Sequence, residues 1–133
     1  MIVVDTNVIA YLFLQGDSTA QAEKLLEVDS EWTVPFLWRS EFRSVLAFYV
    51  RQKIIALDLA LRIAREAELL MQDREYQVNS TPVLNLVVGS RCSAYDCEFV
   101  ALAQGLNVPL VTSDKGILSE FPSTAVSLQQ FTS

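Results

Sequence analysis

Histidine is absent from the chain. That one absence removes Ser-His-Asp and Cys-His machinery and every zinc site built on imidazole. Cysteine is almost as scarce: Cys92 and Cys97 are the only two, and a C-x4-C spacing matches no standard zinc ligand pair. They read as small buried hydrophobes in a reducing compartment. No stretch approaches the roughly 20 apolar residues that span a bilayer. The N-terminus has no basic leader and Asp5 interrupts its apolar start, which is not the pattern of a signal peptide. A cytoplasmic protein without a membrane span is expected. Bases are few, ten against sixteen acids, for a net charge of −6. Globally that argues against non-specific polyanion binding. The average misleads if several acids share a metal pocket, because setting four aside leaves twelve against ten.

What the chain does have is apolar bulk. Its 133 residues are 51% hydrophobic with a mean hydropathy of +0.28, enough for one domain with a substantial core. The surplus predicts apolar surface covered by a partner or a second copy.

The first seven residues organise the rest. Ile2, Val3 and Val4 run without alternation into Asp5, as in a strand buried on both faces. The period then changes, with Val8, Ile9, Leu12 and Phe13 on a helical stripe. Asp5 therefore stands at the carboxyl end of a strand, where open α/β sheets place their ligands. The plainer reading is that Asp5 caps the following helix.

Gln15-Gly16-Asp17 marks a turn, and Ser18 with Gln21 resembles a capping box before a helix carrying Ala22, Leu25 and Leu26. Trp32 to Val34 is a second strand, halted by Pro35. A long helix is predicted from Phe36 to about Lys53, with Phe42, Val45, Leu46, Tyr49 and Val50 as its stripe. Asp58 is a candidate cap for another helix reaching about Asp73. Thr81-Pro82 signals a helix start and Gly89 its end. Ser93 opens a helix through Ala103 closed by Gly105. Val108 to Thr112 is a buried strand running into Asp114, and Ala125 to Leu128 a last edge strand. No repeat or linker interrupts this order. Strands separated by helices predict a single α/β domain over residues 1–133, with a mostly parallel sheet of about four or five strands and helices on both faces.

Four acids stand out by context. Asp5 and Asp114 each follow a buried strand, and a parallel sheet brings all carboxyl ends to one edge. Asp96 falls in the first turn of its helix, three residues after Ser93. Glu41 lies early in the long helix, four residues before Val45, beside the core stripe. Each has an ordinary alternative as a cap or first-turn acid, favoured by the helix dipole by about 0.3–1 kcal/mol. Together they make a carboxylate cluster whose members would raise one another's pKa unless a cation sits among them. Oxygen ligands without His or Cys suit a hard ion, Mg²⁺ or Mn²⁺.

These residues also carry a resemblance. Met-Ile-Val-Val-Asp5-Thr6-Asn7, Glu41, Ser93-Ala-Tyr-Asp96 with Phe99-Val-Ala-Leu-Ala103, and Pro109-Leu-Val-Thr112-Ser-Asp114-Lys115 resemble, in order and spacing over essentially the whole chain, a PIN-domain protein. The VapC-like ribonuclease toxins of toxin–antitoxin pairs are the nearest match. The resemblance implies that Asp5, Glu41, Asp96 and Asp114 hold Mg²⁺ or Mn²⁺ and form the catalytic site, that Asn7 and Thr112 support it through hydrogen bonds, and that hydrolysis of RNA leaves a 5′-phosphate. It also implies a homodimer and a cognate antitoxin, with contacts expected in the region 36–73. Gly116 and Ile117 stand where members often carry a further acid and an aromatic, which leaves the number of ions open.

For substrate, Arg39, Arg43, Arg51 and Lys53 interleave with Phe36, Trp38, Phe42, Phe48 and Tyr49. That mixture suits single-stranded RNA, although helical spacing equally makes the aromatics core and the arginines a solvated face. Arg91 and Lys115 flank the acidic motifs and are candidate phosphate clamps. Two rival functions remain. Asp-x-Asn after the first strand weakly resembles haloacid dehalogenase-type phosphatases, which want a second acid at position 7. A PIN-like module that binds RNA or a partner without catalysis is the other.

Overall fold

The computed structural model describes residues 1–133. Its sheet is built from β1 (Ile2–Val4), β2 (Trp32–Pro35), β3 (Glu75–Tyr76), β4 (Leu110–Thr112) and β5 (Ala125–Ser127). The strand order is β3-β2-β1-β4-β5 and every pairing is parallel. Val3 pairs with Thr33 on one side and Leu110 on the other, so the first strand is the middle one. Its three residues are all buried, which explains the unbroken apolar run: a central strand covered on both faces has no solvent side to alternate toward.

Eight helices connect and cover the sheet: α1 (Thr6–Phe13), α2 (Thr19–Val28), α3 (Trp38–Arg51), α4 (Leu57–Leu70), α5 (Ser80–Val88), α6 (Ala94–Leu106), α7 (Lys115–Glu120) and α8 (Leu128–Thr132). They flank it on both faces. α6 packs across β1, β2 and β4 with α5 beyond it, while α1 and α8 lie against β4 and α2 against both of them. The core joins these layers through Trp32, Trp38, Phe42, Phe99 and Met71. Both cysteines are free and buried in it.

Several boundaries differ from the sequence reading, each for a local reason. Ser18 makes no side-chain cap; the next hydroxyl, Thr19 Oγ1, accepts from the Gly16 N–H and donates to the carbonyls of Tyr11 and Leu14. α3 starts at Trp38 because the Phe36 N–H still donates to the Tyr76 carbonyl, and it stops before Lys53, whose φ is +59°. Ala56, not Asp58, precedes the first residue of α4, and Asp58 lies inside its first turn. α5 opens at Ser80, ahead of Thr81 and Pro82, and ends on Gly89 as expected. α6 runs through Gly105 to Leu106 and is closed by Asn107 in the left-handed conformation. β4 begins at Leu110, since the Val108 N–H is spent on Ala103. β5 ends at Ser127 because its Oγ caps α8.

Candidate active site

The parallel ladder fixes the first acid. The Asp5 N–H donates to the Val111 carbonyl, holding Asp5 at the carboxyl edge between β1 and β4. Its backbone then turns into α1, with Oδ1 accepting from the Thr6 N–H at 2.8 Å. Oδ2 accepts from Thr112 Oγ1 at 2.7 Å and, at 3.5 Å, from Asn7 Nδ2. Thr112 Oγ1 also accepts from the Asp114 N–H at 3.0 Å, so one hydroxyl ties the ends of two neighbouring strands together. Asp114 caps α7 through Oδ1, which accepts from the Ile117 N–H at 3.0 Å.

The other two acids come from helices. Asp96 sits in the first turn of α6, where Ser93 Oγ accepts from its N–H at 3.1 Å. Glu41 lies in the first turn of α3, and its Oε1 accepts from Thr6 Oγ1 at 2.7 Å. All four acids thus occupy helix starts, and all four line one open cavity of about 540 Å³. The capping and clustering readings are both realised: for Asp5 and Asp114 the cap bond uses one carboxylate oxygen and leaves the group on the cavity wall. Thr6 and Asn7 line the same cavity, closed on the α3 side by Ser44, Val45 and Phe48.

The electrostatics are those of acids lacking a counter-charge. Burial pushes the Asp5 carboxyl up to about 6, against the hydrogen bonds from Thr112 and Thr6, with repulsion from Glu41 and Asp96 adding to the rise. Glu41 is raised by burial, less the Thr6 bond, and by Asp96 and Glu98 nearby. Asp96 is raised by burial and then by Asp114. Asn7 Oδ1 is buried with no hydrogen-bond partner, an acceptor that a cation or a water donor would satisfy. An all-oxygen donor set, raised carboxyls and an orphaned acceptor fit a hard divalent ion. As placed, however, no three acids converge closely enough to grip one ion by themselves.

Arg91 and Lys115 are not part of the cavity lining. Both are exposed; Lys115 opens α7, and the main-chain N–H of Arg91 donates to Glu120 at 2.7 Å. Arg39 is committed elsewhere, forked onto Glu75 through Nε at 2.6 Å and Nη2 at 2.8 Å, with Nη1 on Glu68. A Cβ at Gly116 would come within 3.1 Å of Asp114 Oδ1, a tight contact that the carboxylate would have to shift slightly to accept. Thr6 escaped the sequence reading although it orients Glu41. The available signal was its place between two candidate residues, but nothing local shows that a hydroxyl will reach 35 positions along the chain.

A sequence model of the PIN domain matches residues 2–122. The chain belongs to the PIN-domain family. That membership replaces the haloacid dehalogenase-type alternative. PIN domains are generally nucleases, and those nucleases generally use divalent metal ions. No curated protein matches the chain in sequence. Among solved structures, PAE2754 from Pyrobaculum aerophilum is similar with a TM-score of 0.78 and 17% identity, over 98% of this chain and 85% of that one. FitAcB from Neisseria gonorrhoeae gives 0.72 and 17%, over 97% and 99%. FitAB bound to an IR36 DNA fragment gives 0.71 and 18%, over 96% and 95%. At these identities the likeness establishes a shared fold, and this PIN domain's chemistry has to be argued from its own residues.

Proposed function

We propose that this PIN domain is a metal-dependent endoribonuclease that hydrolyses phosphodiester bonds of single-stranded or structured RNA, and that it is a VapC-like toxin of a toxin–antitoxin pair. The observation that carries the reading is the convergence of Asp5, Glu41, Asp96 and Asp114 on one cavity. Asp5, Glu41, Asp96 and Asp114 would hold Mg²⁺ or Mn²⁺, which when bound supplies Lewis acidity and an activated water. The chain's own residues do the orienting. Thr112 and Asn7 aim Asp5, Thr6 aims Glu41, and the Thr112 bond to the Asp114 N–H keeps the first and last acids in register. With no histidine in the chain, proton handling falls to carboxylates and water. Arg91 and Lys115, exposed and outside the cavity, remain proposed contacts for the more distant phosphates of a long substrate.

The partner side of the proposal rests on the VapC-like resemblance and on an apolar groove between α3 and α4. Leu46, Ala47, Val50 and Ala60 line it together with Arg43, Arg51 and Arg65. An antitoxin segment or a second copy forming a homodimer is the expected occupant of this part of the surface, in the cytoplasm. No helix is long and apolar enough to cross a membrane. One observation favours the non-catalytic alternative, a PIN-like module that only binds RNA or a partner: no three acids stand in gripping position.

Cleavage of single-stranded RNA with Mn²⁺ separates the two. The nuclease reading expects cutting that is lost with EDTA and with Asp96→Asn. RNA affinity that is insensitive to EDTA, without cutting, would favour the binding module.

A further inference from the structure

The aromatic residues of α3 fall into different environments. Trp38 and Phe42 are buried against each other, ring centroids 5.8 Å apart, as core. Phe48 is 57% exposed and is one of only two apolar residues on the wall of the acid cavity. A ring left in water forgoes the stabilisation of burial, and it contributes nothing to a site for a hard cation. A second cavity, of about 430 Å³, adjoins the first and shares Asn7 and Val45 with it; Tyr11, Gln15 and Tyr49 are on its wall. The Phe48 and Tyr49 rings meet edge to face, centroids 6.1 Å apart at 71°, so the pair spans the two spaces.

We propose that Phe48 is a stacking platform for an unpaired base of the RNA strand cut at the acid cavity, with the adjoining cavity receiving the neighbouring nucleotide. The inference rests on the ribonuclease reading above. A chain of net charge −6 draws a polyanion in poorly, and the acids repel it at close range. No basic side chain lines the acid cavity, so affinity there that an ion does not supply comes from uncharged contacts, and every base offers a π-face to an aromatic ring. A base within a duplex is already stacked, so Phe48 also selects for unpaired substrate. Phe48 lines the acid cavity and is not among the residues lining the α3–α4 groove assigned above to a protein partner.

The test compares wild type, Phe48→Ala, Phe48→Trp and Phe36→Ala on a random-sequence pool of short single-stranded RNA with Mn²⁺. Phe36 is the control, 53% exposed but not on the cavity wall. Phe48→Ala should raise KM about tenfold or more with little change in kcat, Phe48→Trp should restore it, and Phe36→Ala should leave it unchanged. 2-Aminopurine placed in the oligonucleotides should lose fluorescence on binding to wild type and not to Phe48→Ala. Unchanged KM and unchanged quenching in Phe48→Ala would overturn the inference while the ribonuclease reading stands. The same holds if Phe48→Ala cuts normally but fails to self-associate, which would assign the ring to a protein interface. A wild type that neither cuts nor binds the pool removes both.

Discussion

Asp5 holds two positions at once, a helix cap bound to the Thr6 N–H and a buried acid facing other acids. Its folded pKa of about 6, against an ordinary 3.8, means the folded state binds this proton more tightly than the unfolded chain does. Well below pH 3.8 both states are protonated and the group is neutral to stability. As pH rises toward 6 the unfolded chain ionises first, so the metal-free protein loses stability and levels off above the folded value. The loss attributable to Asp5 is on the order of 1–3 kcal/mol. Urea unfolding in EDTA at pH 4.5 and 7.5 should show wild type losing stability relative to Asp5→Asn across that interval. Parallel curves for the two proteins would mean that Asp5 titrates as if in water. Glu41 and Asp96 push in the same direction.

Among the elements, β3 is the least expected and the most dependent on side chains. It has two residues, Glu75 and Tyr76, neither fully buried, and no apolar run announces it. Glu75 carboxylate oxygens accept from Trp38 Nε1 and from Arg39 Nε and Nη2, which fastens the edge strand to the start of α3, one turn from Glu41. A planar guanidinium fork on a carboxylate is geometrically demanding, and the Glu75 side chain is only 8% exposed. Glu75→Gln should therefore cost about 1–3 kcal/mol in urea unfolding, more than removing Glu68 from its exposed contact with Arg39. Equal costs would reduce β3 to a passive edge. The legible elements were those whose signal is local. Ile2–Val4, Trp32–Val34 and the Ser93 cap of α6 announce themselves within a few residues, by an apolar run or a cap, although Pro35, expected to halt β2, is its last residue and pairs with Tyr76. Asp5 and Asp114 were legible as neighbours because a parallel sheet gathers strand ends whatever their separation, whereas Asp96 and Glu41 were marked only by their first-turn positions on helices. Signals that depend on distant partners were silent: the Arg39–Glu75 fork, the Thr6–Glu41 bond, and the choice of Thr19 over Ser18 as the hydroxyl that organises the turn before α2.

At the scale of the whole molecule, an ion bound among acids from four elements would couple to global stability, because the unfolded chain holds no such cluster. Mn²⁺ at about a hundred times its Kd should stabilise the fold by about 2.7 kcal/mol. A thermal melt at pH 7.5 should show this, a melt at pH 5 should show less because protonated carboxyls bind the ion poorly, and Asp96→Asn should remove it. A shift that survives the substitution would place the ion elsewhere. The position of β1 in the middle of the sheet has one more consequence, which concerns when the site comes into being. Its neighbour on one side, β2, follows within about thirty residues, but its neighbour on the other, β4, comes more than a hundred residues later. A chain emerging from the ribosome delivers Asp5, Glu41 and then Asp96 while the slot beside β1 is still vacant and Asp114 has not been made. The four-acid cavity is therefore completed late in synthesis, by the arrival of one three-residue strand and the acid that follows it.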